Sequence, residues 1–132
     1  MESLFAKYGY APDKERISKR LDAIAANIDN VTSPEVLRNC LSFMDLTTLR
    51  TEDTPASVKK LVGKVNSFMN DFPEYPLPAS VCVFPNFASV VRESLASHEV
   101  HVTAVAGCFP TSQSFIEVKV MECEMAVELS LI

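Results

Sequence analysis

The segment Ala79-Ser80-Val81-Cys82-Val83-Phe84-Pro85 decides the fold class of this chain. It is an almost continuous apolar run rich in strand-forming residues, and prolines bound it on both sides. Strands that are covered on both faces have this pattern, because helices pack above and below the sheet. The run therefore predicts a buried strand of a parallel α/β sheet.

Patterns typical of helices lie on the N-terminal side of this strand. Residues 12–28 carry apolar side chains at helical spacing, and residues 33–40 are predicted to form a short helix. A short strand is expected over residues 41–46, and the clearest amphipathic helix covers residues 54–72. The second and third of these helices each begin with a hydroxyl residue followed by proline, which is a common helix start.

The same alternation continues on the C-terminal side. We expect a helix over residues 86–97, a strand over residues 100–106, and a last helix capped by Thr111 or Ser112. The apolar stripe of that last helix consists of Ile116, Val120, Cys123 and Val127. Strands separated by helices of this length indicate βαβ units, so the sequence predicts an α/β fold with parallel strands.

Composition excludes several classes of protein. The 132 residues are 48% hydrophobic with a formal net charge of −5, which suits one domain with a core and disfavours nucleic-acid or anionic-membrane partners. No apolar run approaches the roughly 18 residues of a membrane helix, and no leader pattern opens the chain, so we expect a cytoplasmic protein. The four cysteines are widely spaced and are expected to be free thiols without a metal.

Candidate chemistry lies where strands meet their loops, since ligands of parallel sheets bind at the carboxyl ends of the strands. Asp45 occupies such a place and suits a general base or a proton relay, or else caps a turn through a backbone amide. Thr47 is able to donate its hydroxyl to a substrate or only to a local acceptor. Cys82 lies inside the apolar run and is interpreted from its position as a small hydrophobic residue.

Three segments in register resemble the deoxyribose-phosphate aldolase family. Residues 42–49, with Asp53 and Thr54 after them, resemble the first-strand motif of the family. Residues 79–87 resemble its second strand, and residues 102–119 resemble its third strand and following helix. The resemblance implies a partial TIM (β/α)8 barrel, with residues 1–40 as a helical N-terminal extension and residues 41–132 as the first three strand–helix units.

The family consists of class I aldolases, which are lyases of deoxyribonucleotide catabolism. They cleave 2-deoxyribose 5-phosphate to glyceraldehyde 3-phosphate and acetaldehyde through a lysine Schiff base, without a metal or another cofactor. By resemblance, Asp45 matches the first-strand aspartate of the proton relay. Thr47 matches a threonine that contacts the sugar hydroxyl, and Leu49 lies beside it. Cys82 matches a pocket cysteine that the reaction does not require, and Phe109 matches a pocket-lining aromatic residue.

The sequence departs from the family in one respect that bears on catalysis. The Schiff-base lysine of the family lies on the sixth strand and its activating lysine on the seventh, whereas a complete barrel takes around 250 residues. Lysines of this chain fall in predicted helices, away from strand ends, and match no catalytic position; they include Lys59, Lys60, Lys64 and Lys119. We therefore expect a truncated portion of the barrel that is inactive alone.

An alternative interpretation is a non-catalytic, self-associating α/β module. Three parallel strands leave two open sheet edges, and residues 129–132 stay apolar to the last position. Such a chain is expected to form a homodimer or another homo-oligomer, whereas the partner in the full-length family is a phosphosugar. A stand-alone enzyme that uses Asp45, Cys82 and His101 is a third interpretation, although no phosphate or oxyanion motif accompanies these residues.

Overall fold

The computed structural model describes residues 2–131 and divides into two compact units between Val36 and Leu37. The first unit is helical and contains α1 (Glu2–Lys7), α2 (Lys14–Ala26), α3 (Ile28–Val31) and the start of α4 (Pro34–Ser42). The side chain of Asp13 caps α2 by accepting a hydrogen bond from the backbone N–H of Arg16 at 2.9 Å. The predicted helix over 12–28 is thus present, although it ends at Ala26.

The second unit is an α/β structure built on a parallel sheet. After α4 it contains β1 (Asp45–Thr47), α5 (Pro55–Asp71), β2 (Ser80–Val83), α6 (Ala88–Ser94), β3 (His101–Ala104) and α7 (Ile116–Leu131). A single 3-10 turn over Pro85–Phe87 joins β2 to α6. The strands lie in the order β1-β2-β3, and both neighbouring pairs are parallel. The predicted alternation of strands and helices is confirmed.

Strand register separates polar from apolar side chains. Successive side chains of a strand point to opposite faces, and paired residues of neighbouring strands share a face. Asp45 pairs with Ser80, and Thr47 pairs with Cys82. We call the side of the sheet that carries these pairs the polar face. Its residues are Asp45, Thr47, Ser80, Cys82, His101 and Thr103.

The opposite face of the sheet carries the hydrophobic core. The buried cluster contains Val81, Val83 and Val100 from the sheet segments, Val58, Val62 and Val65 from α5, and Phe87 and Val91 beside them. Burying a valine side chain stabilises the folded state by roughly 1.5–3 kcal/mol. Because the residues of β2 that join this cluster are Val81 and Val83, the core forces Ser80 and Cys82 onto the polar face.

Helix α5 begins where the sequence predicts. The hydroxyl of Thr54 accepts from the backbone N–H of Ser57 at 3.2 Å, and the hydroxyl of Ser57 accepts from the backbone N–H of Thr54 at 2.9 Å. This reciprocal capping box satisfies two N–H groups that a helix start leaves free. Pro55 occupies the first helical position, where its missing N–H costs nothing.

Two predicted boundaries are wrong near the first and last strands. The strand expected over residues 41–46 begins only at Asp45, because α4 continues through Ser42. The last helix begins at Ile116, and the loop before it contains Ser112 with φ of 53°. Thr111 and Ser112 lie at least four residues before this start, so they do not cap the helix.

The predicted stripe of α7 does not face the core. Ile116, Val120 and Val127 are 65%, 49% and 57% exposed, and Cys123 is exposed as well. A different side of the helix contains Ala126, which is 8% exposed, and α7 packs against α6. None of the described helices is long and apolar enough to span a membrane.

Candidate active site on the polar face of the sheet

A chain of three side-chain oxygens crosses the polar face. Thr103 Oγ1 donates to Ser80 Oγ at 2.8 Å, and Ser80 Oγ donates to Asp45 Oδ1 at 2.5 Å. Ser80 is 3% exposed, whereas the Asp45 side chain is exposed. The three strands thus hold one oxygen of a carboxylate that remains accessible from solvent.

Thr47 and Cys82 occupy the next register position along the strands. The Thr47 hydroxyl donates to the backbone carbonyl of Asp45 at 3.2 Å. Burial raises the pKa of the Cys82 thiol above its ordinary value of 9.0, a hydrogen bond with Thr47 opposes this, and the negative charge of Asp45 adds to the rise. The thiol is therefore neutral near pH 7, a state in which it is a poor nucleophile.

Leu49 and Phe109 lie in loops rather than on the strands. Leu49 is half-buried in the loop after β1, and Phe109 is 47% exposed in the loop after β3. Both loops leave the carboxyl ends of parallel strands, where sites of this architecture form. The structure therefore brings Asp45, Thr47 and Cys82 together on one face and places the other two candidates on the adjoining loops.

Asp53 organises the loop after β1. Its Oδ2 accepts from Thr48 Oγ1 at 2.7 Å and from the backbone N–H of Arg50 at 2.9 Å, while its Oδ1 accepts from Ser57 Oγ at 3.3 Å. The hydrogen bond from the Arg50 backbone, followed by that from Thr48, lowers the pKa of this carboxyl below 3.8. The turn-capping role considered for Asp45 thus belongs to Asp53, since the Asp45 side chain bonds to Ser80 instead.

The loop after β3 is tied to α7 by a second carboxylate. Gly107 and Cys108 both adopt a positive φ, of 72° and 61°, and the backbone N–H of Cys108 donates to Glu122 Oε2 at 2.7 Å. This bond fixes the segment that carries Phe109. Cys108 and Glu122 also line an apolar groove of about 430 Å³. The other lining residues are Phe84, Pro85, Asn86, Val118, Met121, Met125 and Leu129.

A polar groove of about 300 Å³ lies at the carboxyl end of β1. It is lined by Thr47, Thr48, Arg50, Asp53, Ser57, Lys60, Leu61 and Lys64. The expectation that the lysines lie away from strand ends is wrong for Lys60 and Lys64, because these exposed residues of α5 line the same groove as Thr47 and Thr48. Within residues 2–131, no three His, Cys, Asp or Glu side chains cluster as metal ligands do.

Sequence reasoning missed Ser80, Thr103 and Glu122. Ser80 stands two positions before Cys82, and this period-two spacing is the only signal in the sequence that places both side chains on one face. The partners of Thr103 and Glu122 depend on strand register and loop conformation, for which the local sequence holds no pattern.

Comparison with other proteins identifies relatives over most of the chain. None of the protein-family models matches it. A Caenorhabditis elegans protein named as a deoxyribose-phosphate aldolase is 31% identical over 119 residues, which are 87% of this chain and 38% of that protein. The deoxyribose-phosphate aldolase of Clostridium tetani (strain Massachusetts / E88) is 35% identical over 86 residues, or 65% of this chain and 36% of that enzyme. The chain thus spans less than two fifths of the length of these relatives.

Solved structures agree with the sequence comparison. A Coccidioides immitis protein named as a deoxyribose-phosphate aldolase superimposes with a TM-score of 0.58 at 26% identity, over 74% of this chain and 35% of that one. The tetrameric deoxyribose phosphate aldolase of Aeropyrum pernix gives 0.56 at 26% identity, over 80% of this chain and 40% of that one. The predicted partial barrel is confirmed. This chain is thus a relative of the deoxyribose-phosphate aldolases and corresponds to a partial, N-terminal portion of them.

Proposed function

We propose that this chain supplies the first three strand–helix units of an aldolase barrel that cleaves 2-deoxyribose 5-phosphate. The observation that carries the proposal is the Asp45 carboxylate, which Ser80 holds through Oδ1 on a face that also contains Thr47 and Cys82. A carboxylate that is fixed in place and accessible on one side is suited to accept and return protons. Asp45 is thus the proton-transfer group that this chain contributes to the proposed aldolase site.

The proposed reaction uses a lysine amine as the nucleophile. The amine attacks the substrate carbonyl and water leaves, and the resulting iminium accepts the electron pair when the carbon–carbon bond breaks. Asp45 relays protons through water during these steps, and Thr47 binds a sugar hydroxyl. Leu49 and Phe109 line the pocket, and the neutral Cys82 thiol contributes bulk without reacting. The route requires no metal or other cofactor, and its substrate class suits deoxyribonucleotide catabolism in the cytoplasm.

We further propose that residues 1–132 do not catalyse this reaction alone. The three strands Asp45–Thr47, Ser80–Val83 and His101–Ala104 contain no lysine, so no amine projects from the polar face of the described sheet. Without a nucleophile on that face, the covalent route is absent and not merely slower. The remaining units of the barrel must supply it.

Borohydride trapping tests both proposals. The purified chain is incubated with 2-deoxyribose 5-phosphate, with and without borohydride, and its intact mass is measured. We expect 14.6 kDa and no adduct for the 132 residues. A chimera that joins residues 41–127 to the remaining units of the Clostridium tetani enzyme is expected to trap one substrate-derived adduct. An adduct on the 132-residue chain would contradict the second proposal, and peptide mapping would then examine Lys60 and Lys64 first.

A second candidate function is self-association, which the outer side of α7 favours. Ile116, Val120 and Val127 on this side are about half exposed or more. In the described sheet β3 also has no strand on its outer edge. We infer that copies of the chain bury these surfaces against each other as a homodimer or larger homo-oligomer. Light scattering across a range of protein concentrations tests this, and a compact monomer at every concentration would contradict it.

A further inference from the structure

The two carboxylate oxygens of Asp45 have different surroundings. Oδ1 accepts the hydrogen bond from Ser80 at 2.5 Å, and in the described part of the chain no other group bonds to this side chain. An ionised carboxylate has about four acceptor positions, so Oδ2 keeps all of its own available. The residue is exposed, and Oδ2 is the carboxylate oxygen that holds no hydrogen bond within the described residues.

The two hydrogen bonds that join Thr103, Ser80 and Asp45 run in one direction only. An ionised carboxylate accepts and cannot donate, so the Ser80 hydroxyl must give its single proton to Asp45. The Ser80 oxygen then accepts from Thr103, at 2.8 Å. Because Ser80 is 3% exposed, its hydroxyl has little contact with bulk water that could replace either partner. The order of donors is thus set by the chemistry of Asp45 and by burial.

Strand register makes Ser80 the residue that contacts Asp45. The two are Cα partners across β1 and β2, while Val81 and Val83 hold β2 in the core from the opposite face. Thr103 is the partner of Cys82 on β3, one register position further along the sheet. A hydrogen bond to a charged acceptor is about twice as strong as one between neutral groups. This contact is therefore able to select one rotamer of an otherwise mobile, exposed side chain.

We propose that Ser80, itself held by Thr103, is a positioning residue for the proton relay: it fixes the Asp45 carboxylate through Oδ1 and leaves Oδ2 to exchange protons. In this step Oδ2 takes one proton from a water molecule as that water takes one from the reacting group, and the return runs by the same path; the Oδ1 hydrogen bond is retained throughout. The inference rests on the proposed function for the relay itself. Neither Ser80 nor Thr103 contacts the reacting atoms in the proposed relay.

Carbon–nitrogen couplings of the labelled 132-residue chain test the positioning role without substrate. The three-bond couplings from the Asp45 carboxyl carbon to its backbone nitrogen and carbonyl carbon measure how its χ1 angle is populated. We expect values of one rotamer in the wild type and averaged values in Ser80→Ala. Thr103→Val removes a hydroxyl at nearly constant shape and should shift the couplings towards the average, whereas Thr103→Ser keeps the hydroxyl and should restore wild-type values.

Single-rotamer couplings in Ser80→Ala would overturn the proposal. If that variant does not fold, as an amide correlation spectrum would reveal, identical couplings in Thr103→Val and Thr103→Ser would overturn it instead. In the aldolase chimera, Ser80→Ala should lower kcat by about tenfold, a fraction of what a general base contributes, with KM unchanged. A chimera that traps no adduct would refute the aldolase function, while the couplings would still decide whether Ser80 orients Asp45.

Discussion

Ser80 and Asp45 are partners across two parallel strands, and the buried hydroxyl of the first donates to the exposed carboxylate of the second at 2.5 Å. The pair joins residues that are 35 positions apart in the sequence. It connects the hydrophobic core, which orients β2, to the residue that we propose as the proton relay.

The first prediction concerns the stability that this pair provides. Ser80→Ala should lower the free energy of unfolding by about 1–3 kcal/mol, because Thr103 and Asp45 lose a partner in a site that water does not enter freely. Urea denaturation followed by circular dichroism measures the change. Ser67→Ala is a matched control, since this exposed serine donates only to the Lys64 carbonyl, and it should change stability by less than about 0.5 kcal/mol. Equal effects of the two substitutions would contradict the prediction.

The second prediction concerns the valine core. Val62 is fully buried in α5 against the sheet, so Val62→Ala should cost about 2–3 kcal/mol through lost burial and the cavity left behind. Val120→Ala on α7 removes the same atoms from a side chain that is 49% exposed. It should change the free energy of unfolding far less. A core that tolerates Val62→Ala as well as Val120→Ala would show that the helix does not pack as described.

The third prediction follows from the lowered pKa of Asp53. A carboxyl whose pKa is lower in the folded state than in the unfolded state stabilises the fold above its unfolded pKa, near 3.8, and loses this effect as pH falls through the folded pKa. Wild type should therefore exceed Asp53→Asn in stability at about pH 6, and the difference should shrink below about pH 4. Urea midpoints across this range measure it. A difference that stays constant with pH would argue against a charged Asp53 in the loop.

The fourth prediction concerns thiol reactivity. Burial raises the pKa of Cys82, so less of this thiol is ionised at a given pH than of an exposed cysteine. Iodoacetamide at about pH 8 should therefore alkylate Cys40, which is exposed, well before Cys82. Peptide mass spectrometry over time distinguishes the sites, and urea-unfolded protein should show both reacting alike. Early alkylation of Cys82 in the folded chain would show that its thiol is not buried on the polar face.

The fifth prediction concerns the surface through which copies associate. Val120→Lys puts a charge on the outer side of α7 and should convert a species of twice 14.6 kDa or more into the monomer, as light scattering would measure. Val31→Lys, at a site that is 52% exposed in the helical N-terminal unit, is the control and should leave the mass unchanged. If Val31→Lys dissociated the assembly and Val120→Lys did not, the interface would not lie on α7.

The start of α5 is the most predictable feature of the fold. Thr54 and Pro55 define the start of α5 through bonds to residues only three positions away, so the local sequence suffices. The start of α7 was not predictable in this way. It depends on the loop that carries Phe109, which positive φ angles and the bond from Cys108 to Glu122 hold in place.

The order of strands and helices, the parallel α/β class and the relationship to an aldolase family follow from the amino-acid sequence alone. Periodicity and capping act over a few residues, and family motifs are strings of adjacent residues, so all three can be read along the chain. Three contacts become visible only in the folded chain: Ser80 bonds to Asp45, Thr103 bonds to Ser80, and Asp53 accepts hydrogen bonds in the loop after β1. The first two contacts depend on the register between strands, which the packing of Val81 and Val83 against the helices sets. A slip of β2 by one residue would turn Ser80 to the opposite face of the sheet and break both contacts.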